Sequence, residues 1–250
     1  MNVPFQGMYQ GETLECFIDR HVRPNYEFLR RCSSVIDRVV RIVHLHPRYS
    51  VSQVIKGGSL GKGTGVKGHS DVDLLVVLND FKTVDELANQ MDNILDDFSV
   101  YLSSRDGIRF VGRTPYTLQF QMMCDSGNDW HDVDLLPIID VWSTWLFGLA
   151  GGPTKAYKEM VKKPYLRKYY AKCLCKLQIE FVKSRPCRVK DLIRLIKYWN
   201  KTEGVCIVKK SFRVSIFIET NDTNCFFCDI TGKMEKSNIA YKVIGICLNL

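Results

Sequence analysis

The 250-residue sequence contains few of the residues that mark several classes of protein. Eight prolines and 17 glycines are too few for a collagen-like or low-complexity chain. Ten cysteines are fewer than a disulfide scaffold of this length would carry. The most apolar long stretch, residues 133–152, is interrupted by Asp134 and Asp140, so it does not predict a membrane span.

We also expect no secretory signal at the beginning of the chain. Its first fifteen residues have no apolar core of the kind found in secretory signal peptides. We therefore expect a cytoplasmic protein that does not contact a membrane and keeps its thiols reduced.

Positive charge is concentrated in one part of the sequence. The 35 Lys and Arg exceed the 27 Asp and Glu by eight, and residues 154–201 hold fifteen basic residues against three acidic ones. Helical spacing there predicts a buried apolar stripe with a basic ridge beside it. The stripe is Val189, Leu192, Ile193, Ile196 and Trp199, and the ridge is Lys190, Arg194, Lys197 and Lys201. A solvated helix face is the ordinary explanation of such charge, but two adjacent basic helices could also hold phosphates.

The order of the predicted elements indicates an α+β fold. Hydrophobic periodicity predicts helices over residues 12–47, broken near Pro24, and over residues 84–101. Short apolar runs predict strands at 51–55, 71–78, 108–112, 116–123 and 132–139, and 154–201 is helical, with one helix over 165–183. We expect a mixed-sheet lobe with N-terminal helices over residues 1–150, packed against a basic helical lobe over 151–220 that is only partly present. Residues 221–250 would form a divergent tail.

The most informative segment is glycine-rich and covers residues 56–73. It does not match a P-loop, because its glycine spacing is one residue short and its Gly-Lys pair is followed by glycine. Residues 63–68 match G-x-G-x-x-G, but a dinucleotide site needs a strand before that motif, and here a strand follows it. A third interpretation fits every part: a strand leads into Gly58 and Ser59, where a small-residue turn lets the backbone approach a triphosphate.

Carboxylates follow this segment directly. Asp71 and Asp73 are two residues apart on a predicted strand, so both side chains should project from one face. Two such carboxylates need a cation between them, and Mg²⁺ is the natural choice because it prefers oxygen ligands. Asp134 is the best candidate for a third ligand, and Asp132 lies two positions earlier on the same face.

Together, these segments resemble the nucleotidyltransferase superfamily with a DNA polymerase β-like catalytic lobe. More narrowly, they resemble the 2′-5′-oligoadenylate synthetase family. The resemblance is carried by residues 54–64, 68–74, 133–140, 181–186 and 192–199, and it extends from about residue 14 to about residue 220. Its register selects Asp134, rather than Asp132, as the third metal ligand.

The resemblance implies a site and a reaction. Two Mg²⁺ ions would be held by Asp71, Asp73 and Asp134. The implied contacts to ATP are Gly58, Ser59, Lys62, Arg194 and Lys197, and those to double-stranded RNA are Lys56 and Lys183. An acceptor 2′-OH would attack the α-phosphate of ATP and release pyrophosphate, giving 2′-5′-linked oligoadenylate in antiviral defence when double-stranded RNA binds.

The match fades beyond residue 215, and other hypotheses stay open. Residues 221–250 do not resemble the family, whose catalytic unit continues as further helices, so we expect a truncated or divergent second lobe. A catalytically inactive RNA-binding member is one alternative, and a nucleotidyltransferase that RNA does not activate is another. Enzymes that make cyclic dinucleotides are the nearest rivals, but residues 57–64 and 192–199 favour the oligoadenylate synthetases.

Overall fold

Five strands form one mixed sheet in the computed structural model, which describes residues 7–68, 71–124, 129–141 and 152–202. The strands are β1 (Val51–Lys56), β2 (Val72–Leu78), β3 (Ile108–Arg113), β4 (Leu118–Met123) and β5 (Trp130–Ile138). Their order in the sheet is β1-β2-β5-β4-β3. β2 pairs with β5 in parallel, whereas the β1–β2, β3–β4 and β4–β5 pairs are antiparallel. The mixed sheet and the helices around it confirm the α+β fold class.

Helices precede, interrupt and follow the sheet. At the N-terminal side, α1 (Leu14–Phe17) continues as a π-helix (Ile18–Val22), and α2 (Tyr26–His44) follows. α3 (Gly58–Lys62) is a short helix between β1 and β2, and α4 (Val84–Ser103) connects β2 to β3. The basic segment contains α5 (Gly152–Lys162), a 3₁₀ turn (Pro164–Leu166), α6 (Arg167–Cys173), α7 (Cys175–Lys183) and α8 (Cys187–Thr202). Within the described ranges, no helix is both long and apolar enough to cross a membrane.

The two long helices α2 and α4 begin where the sequence supplies capping side chains. Asn25 Oδ1 accepts the backbone N–H of Phe28 at 2.9 Å, and Thr83 Oγ1 caps α4 in the same way at 3.1 Å. Both helices bury their apolar side chains in the core that covers the sheet. β2 is buried along residues 74–78, which explains why its apolar run is continuous rather than alternating.

The observed boundaries agree with the predicted strands to within two residues, but the basic segment is more broken than predicted. The helix predicted over residues 165–183 is divided into the 3₁₀ turn, α6 and α7. The second break falls at Leu174, whose ψ of 0° interrupts regular helix geometry. Proline at positions 164 and 186 limits helix length on either side, because it lacks the N–H that a continuing helix needs.

The chain divides into two compact units. Residues 11–195 form one, and residues 1–10 with 196–250 form the other. The sheet and the glycine-rich segment lie wholly in the first unit. The domain boundaries near residues 150 and 220 stay predictions.

Candidate active site

Two of the predicted carboxylates lie side by side on the central strands. Asp73 on β2 is aligned with Asp134 on β5 in the parallel register, and aligned residues of neighbouring strands project from the same face. Both residues are half-buried. Asp71 is exposed and directly precedes β2, so it lies at the entrance of the strand rather than within it.

The Asp73 carboxylate lies in an unfavourable electrostatic environment. Burial raises the pKa of Asp73 to about 6, and the negative charges of Asp134 and Asp71 contribute to the rise. The positive charges of Lys172 and Lys62 oppose it. A cation between the two aligned carboxylates would remove their mutual repulsion.

Gly58 brings the glycine-rich segment against Asp73. Its φ of +49° is in the left-handed region, and a Cβ at this position would overlap Oδ2 of Asp73. The neighbouring Gly57 donates its N–H to the carbonyl oxygen of Asp73 at 2.8 Å. The backbone of residues 57–58 therefore lies directly beside the carboxylate, an approach that only glycine permits at position 58.

The short helix α3 is packed tightly behind this contact. A Cβ on Gly61 would overlap the carbonyl oxygen of Lys56 and would come within 3.6 Å of Ile179 on α7. Ser59 and Lys62, two predicted nucleotide contacts, are half-buried on this helix. Lys62 lowers the pKa of Asp73 through its charge, and Ser59 directly follows Gly58, whose backbone lies against that carboxylate.

The two lysines predicted to bind RNA belong to β1 and α7, the two elements that pack closely around Gly61. Lys56 is the last residue of β1, and Lys183 is the last residue of α7, one helical turn after Ile179. Both lysines are exposed. Their contact with RNA stays a prediction.

The sequence places Arg194 on a basic ridge, but in the structure its side chain is not exposed. Its side chain is only 15% exposed. It donates from Nε to the carbonyl oxygen of Gly65 at 3.2 Å and from Nη2 to that of Gly63 at 2.5 Å. Arg194 therefore lies against the glycine-rich segment, where a triphosphate is expected. Lys197 belongs to the second compact unit, and its role stays a prediction.

The buried face of α8 also differs from the predicted stripe. Asp191 and Leu195 are buried, whereas Val189, Leu192 and Ile193 are half-buried. A charged residue enters the buried face because its carboxylate meets guanidinium partners from elsewhere in the chain. Periodicity along one helix cannot reveal such partners.

Four further polar residues contact or influence the predicted site residues, and the sequence did not identify them as part of the site. Gln119 Nε2 donates to Asp134 Oδ1 at 3.1 Å, and Lys172 lowers the pKa of Asp73 through its charge. Arg23 and Asp191 form an ion pair behind Arg194. Alternation along β4 identifies Gln119 as a residue of the polar face, but nothing in the spacing names its partner.

The aligned carboxylates fit a divalent cation in chemistry, although they do not form a complete ligand set. Asp73 and Asp134 offer the hard oxygen ligands that Mg²⁺ prefers. In the part of the chain that the structure describes, no three potential ligands converge closely enough to hold a metal ion. The structure therefore brings together two carboxylates, and the convergence of Asp71 with them stays a prediction.

A small cavity lies farther along the same face of the sheet. Its volume is about 130 Å³, and its lining includes Val77, Ile138, Cys173 and Lys176. Cavities that enclose nucleotide-sized ligands usually exceed about 300 Å³. This cavity is therefore too small to enclose a nucleotide.

Two family models match separate parts of the chain. Residues 36–110 match the nucleotidyltransferase domain. Residues 153–214 match the C-terminal domain 2 of 2′-5′-oligoadenylate synthetase 1. The first match includes the glycine-rich segment with Asp71 and Asp73, and the second includes the basic helices.

Individual relatives give the same picture. The chain is 29% identical over 215 residues to 2′-5′-oligoadenylate synthase 3 of Mus musculus, a match that covers 77% of this chain and 18% of that protein. It is 30% identical over 207 residues to 2′-5′-oligoadenylate synthase 1A of Rattus norvegicus, covering 74% and 57% respectively. The chain therefore spans only part of either relative. Among solved structures, the E. coli MS115-1 CdnC:HORMA-deltaN complex is similar with a TM-score of 0.49 and 17% identity, over 78% of this chain and 58% of that one.

Replacement of Gly58 should disable the carboxylate pair. In Gly58→Ala, the new Cβ overlaps Asp73, so we expect the affinity for Mg²⁺ to fall by at least about tenfold, the scale of one lost charged contact. Gly68→Ala is the matched control, because Gly68 also has a positive φ but a Cβ there meets nothing within 4 Å. Titration of each variant with Mg²⁺, followed by calorimetry, measures the difference. Equal losses in both variants would show that backbone strain, rather than overlap with Asp73, is responsible.

Removal of the Asp73 charge should stabilise the metal-free protein. Because the pKa is raised in the folded state, the folded protein binds the proton more readily, and stability falls as pH rises from about 4 to about 6. Asp73→Asn should therefore raise the free energy of unfolding at pH 7.5 by about 1–3 kcal/mol, and the gain should disappear near pH 4.

Thermal unfolding in a chelating buffer at both pH values checks this expectation. The control is Asp132→Asn, which removes an exposed carboxylate bonded to Gln121 on the same strand face. No gain for Asp73→Asn, or a gain that persists at pH 4, would contradict the electrostatic interpretation.

Proposed function

Because the chain belongs to the 2′-5′-oligoadenylate synthetase family and contains a nucleotidyltransferase domain, we propose that it joins ATP molecules through 2′-5′ links. The observation that carries the proposal is the register of β2 and β5, which aligns Asp73 with Asp134. Gly58 lies against Asp73, so the segment expected to receive the triphosphate adjoins the carboxylate pair. Nucleotidyl transfer needs these two features together, because the α-phosphate must lie next to the groups that hold its counter-ion.

In this proposal, each side chain has a defined task. Asp71, Asp73 and Asp134 would hold two Mg²⁺ ions, which would offset phosphate charge and activate the attacking hydroxyl. Gln119 orients the Asp134 carboxylate through its hydrogen bond. The triphosphate is held by Gly58, Ser59, Lys62 and Arg194.

The reaction is a single displacement at phosphorus. The 2′-oxygen of the acceptor adenosine forms a bond to the α-phosphorus of the donor ATP, and its proton passes to solvent water. The bond from that phosphorus to the bridging oxygen breaks, and pyrophosphate leaves. No covalent enzyme intermediate is needed, so the chain contributes through positioning and charge.

We also propose that double-stranded RNA activates the chain, in antiviral defence in the cytoplasm. The support is the placement of exposed Lys56 and Lys183 on β1 and α7, the two elements that pack on Gly61. Gly61 belongs to α3, which also carries three of the predicted triphosphate contacts, Gly58, Ser59 and Lys62. RNA that binds both lysines would therefore act on the elements that hold α3 beside Asp73.

Product analysis tests the proposed reaction. The chain is incubated with ATP and Mg²⁺, with and without double-stranded RNA, and the products are treated with a nuclease that cuts only 3′-5′ links. Resistant oligoadenylate that depends on RNA is the expected result, and Asp73→Asn should abolish it because a metal ligand is lost. Resistant product without RNA would overturn RNA activation alone. No product from the folded chain, or nuclease-sensitive product, would overturn the proposed synthesis.

The RNA contact is tested separately by charge reversal. Lys183→Glu should weaken binding to a short RNA duplex by about tenfold and reduce the slope of log affinity against log salt by about one to two, because a phosphate contact is replaced by repulsion. Lys82→Glu makes the same charge change at an exposed lysine just after β2, at the opposite end of the strand from Gly58. Fluorescence anisotropy at several salt concentrations measures both variants. Equal effects of the two substitutions would show that only net charge matters and would remove Lys183 as a specific contact.

A further inference from the structure

A buried carboxylate connects α8 with the N-terminal helices. The side chain of Asp191 is only 6% exposed. Its Oδ1 accepts a hydrogen bond from Arg23 Nε at 3.0 Å, and its Oδ2 accepts a second one from Arg23 Nη2. This pairing is bidentate, the strong geometry for a guanidinium and a carboxylate. Oδ1 of Asp191 also accepts Nη1 of Arg194 at 2.5 Å. We call Arg23, Asp191 and Arg194 the arginine clasp.

The arginine clasp ends on the glycine-rich segment. Arg194 donates to the carbonyl oxygens of Gly63 and Gly65, directly after α3. Lys67, two residues farther on, donates its N–H to the carbonyl oxygen of Val22 at 3.0 Å, and Val22 directly precedes Arg23. The segment is thus held from α8 and from the N-terminal helices, and the clasp joins these two supports.

The charges of the clasp do not cancel. Asp191 faces two guanidinium groups, which stay protonated in proteins, so these three side chains together carry one net positive charge. If Asp191 paired with Arg194 alone, that pair would be neutral and would attract an anion only weakly. Arg23 therefore offsets the carboxylate that orients Arg194.

Two further carboxylates contact Arg23 but do not alter this balance greatly. Glu15 and Asp19 both bind its guanidinium, and their side chains are 66% and 57% exposed. Water and salt screen exposed charges far more effectively than buried ones. The local charge at Arg194 is therefore set mainly by Asp191 and Arg23.

We propose that Arg23 and Asp191 are positioning residues for the donor nucleotide. Asp191 orients the Arg194 guanidinium along the glycine-rich segment, and Arg23 balances the charge of Asp191, which leaves the charge of Arg194 available to the triphosphate. This inference rests on the proposed function, in which Arg194 contacts ATP. It adds two residues, from α8 and from the N-terminal helices, that do not themselves touch the nucleotide.

Equilibrium binding of ATP to the full chain with Mg²⁺, measured by calorimetry, tests the inference without requiring synthesis. Arg23→Gln makes the clasp neutral, so we expect the affinity for ATP to fall by about tenfold, the scale of one lost charged interaction. Arg23→Lys and the double variant Arg23→Gln/Asp191→Asn each keep one net positive charge. In the double variant, the amide oxygen of the new Asn can still accept from Arg194 Nη1 and so keep its orientation. Both variants should therefore bind within about threefold of the unaltered chain. Arg30→Gln is the matched control, because it breaks an exposed pair with Glu27 on α2.

Circular dichroism of every variant separates folding from binding. Tenfold weaker binding by folded Arg23→Lys or by the folded double variant would overturn the charge balance, and these two variants decide the matter even if Arg23→Gln does not fold. Unchanged affinity in folded Arg23→Gln would also overturn it, and the proposed function would stand. Failure of the unaltered chain to bind ATP would instead count against the proposed function itself.

Discussion

The repulsion between Asp73 and Asp134 is the constraint on which the arrangement of this site depends. Parallel pairing of β2 with β5 aligns the two carboxylates, so the fold itself brings like charges together. Burial disfavours the charged form of Asp73, and the negative charges of Asp134 and Asp71 add to this effect, so the pKa of Asp73 rises to about 6. Such a pair destabilises the folded chain unless a cation is bound, and the buried apolar residues of the same strands offset that loss.

The glycine-rich segment is shaped by the same pair. Position 58 must be glycine because its backbone contacts the carboxylate that the register has fixed. α3 has little room on its other side, since a Cβ on Gly61 would overlap the last carbonyl oxygen of β1 and approach α7. The close fit of α3 therefore couples the carboxylates to β1 and α7, the elements that carry Lys56 and Lys183.

The fold class and much of the carboxylate arrangement can be predicted from the sequence, because both depend on patterns among residues that are close together in the chain. The apolar run after Asp71 identifies β2, and the matching run after Asp132 identifies β5. Neither run indicates that the two strands are neighbours, so only the structure of the sheet shows that Asp73 is aligned with Asp134. The predicted start of β2 at Asp71 is one residue too early, and this single residue decides whether the Asp71 side chain lies on the strand or before it.

The contacts of Arg194 show where sequence reasoning fails and why. Helical spacing places it among exposed basic residues, and that assignment assumes that charged side chains face water. The assumption fails when partners arrive from distant parts of the chain, as Arg23 and the carbonyl groups of residues 63 and 65 do here. The two parts of the site therefore carry opposite charges. The carboxylates on β2 and β5 leave negative charge uncompensated, which favours binding of a cation. The arginine clasp leaves positive charge uncompensated beside the segment where the anionic end of a nucleotide would bind.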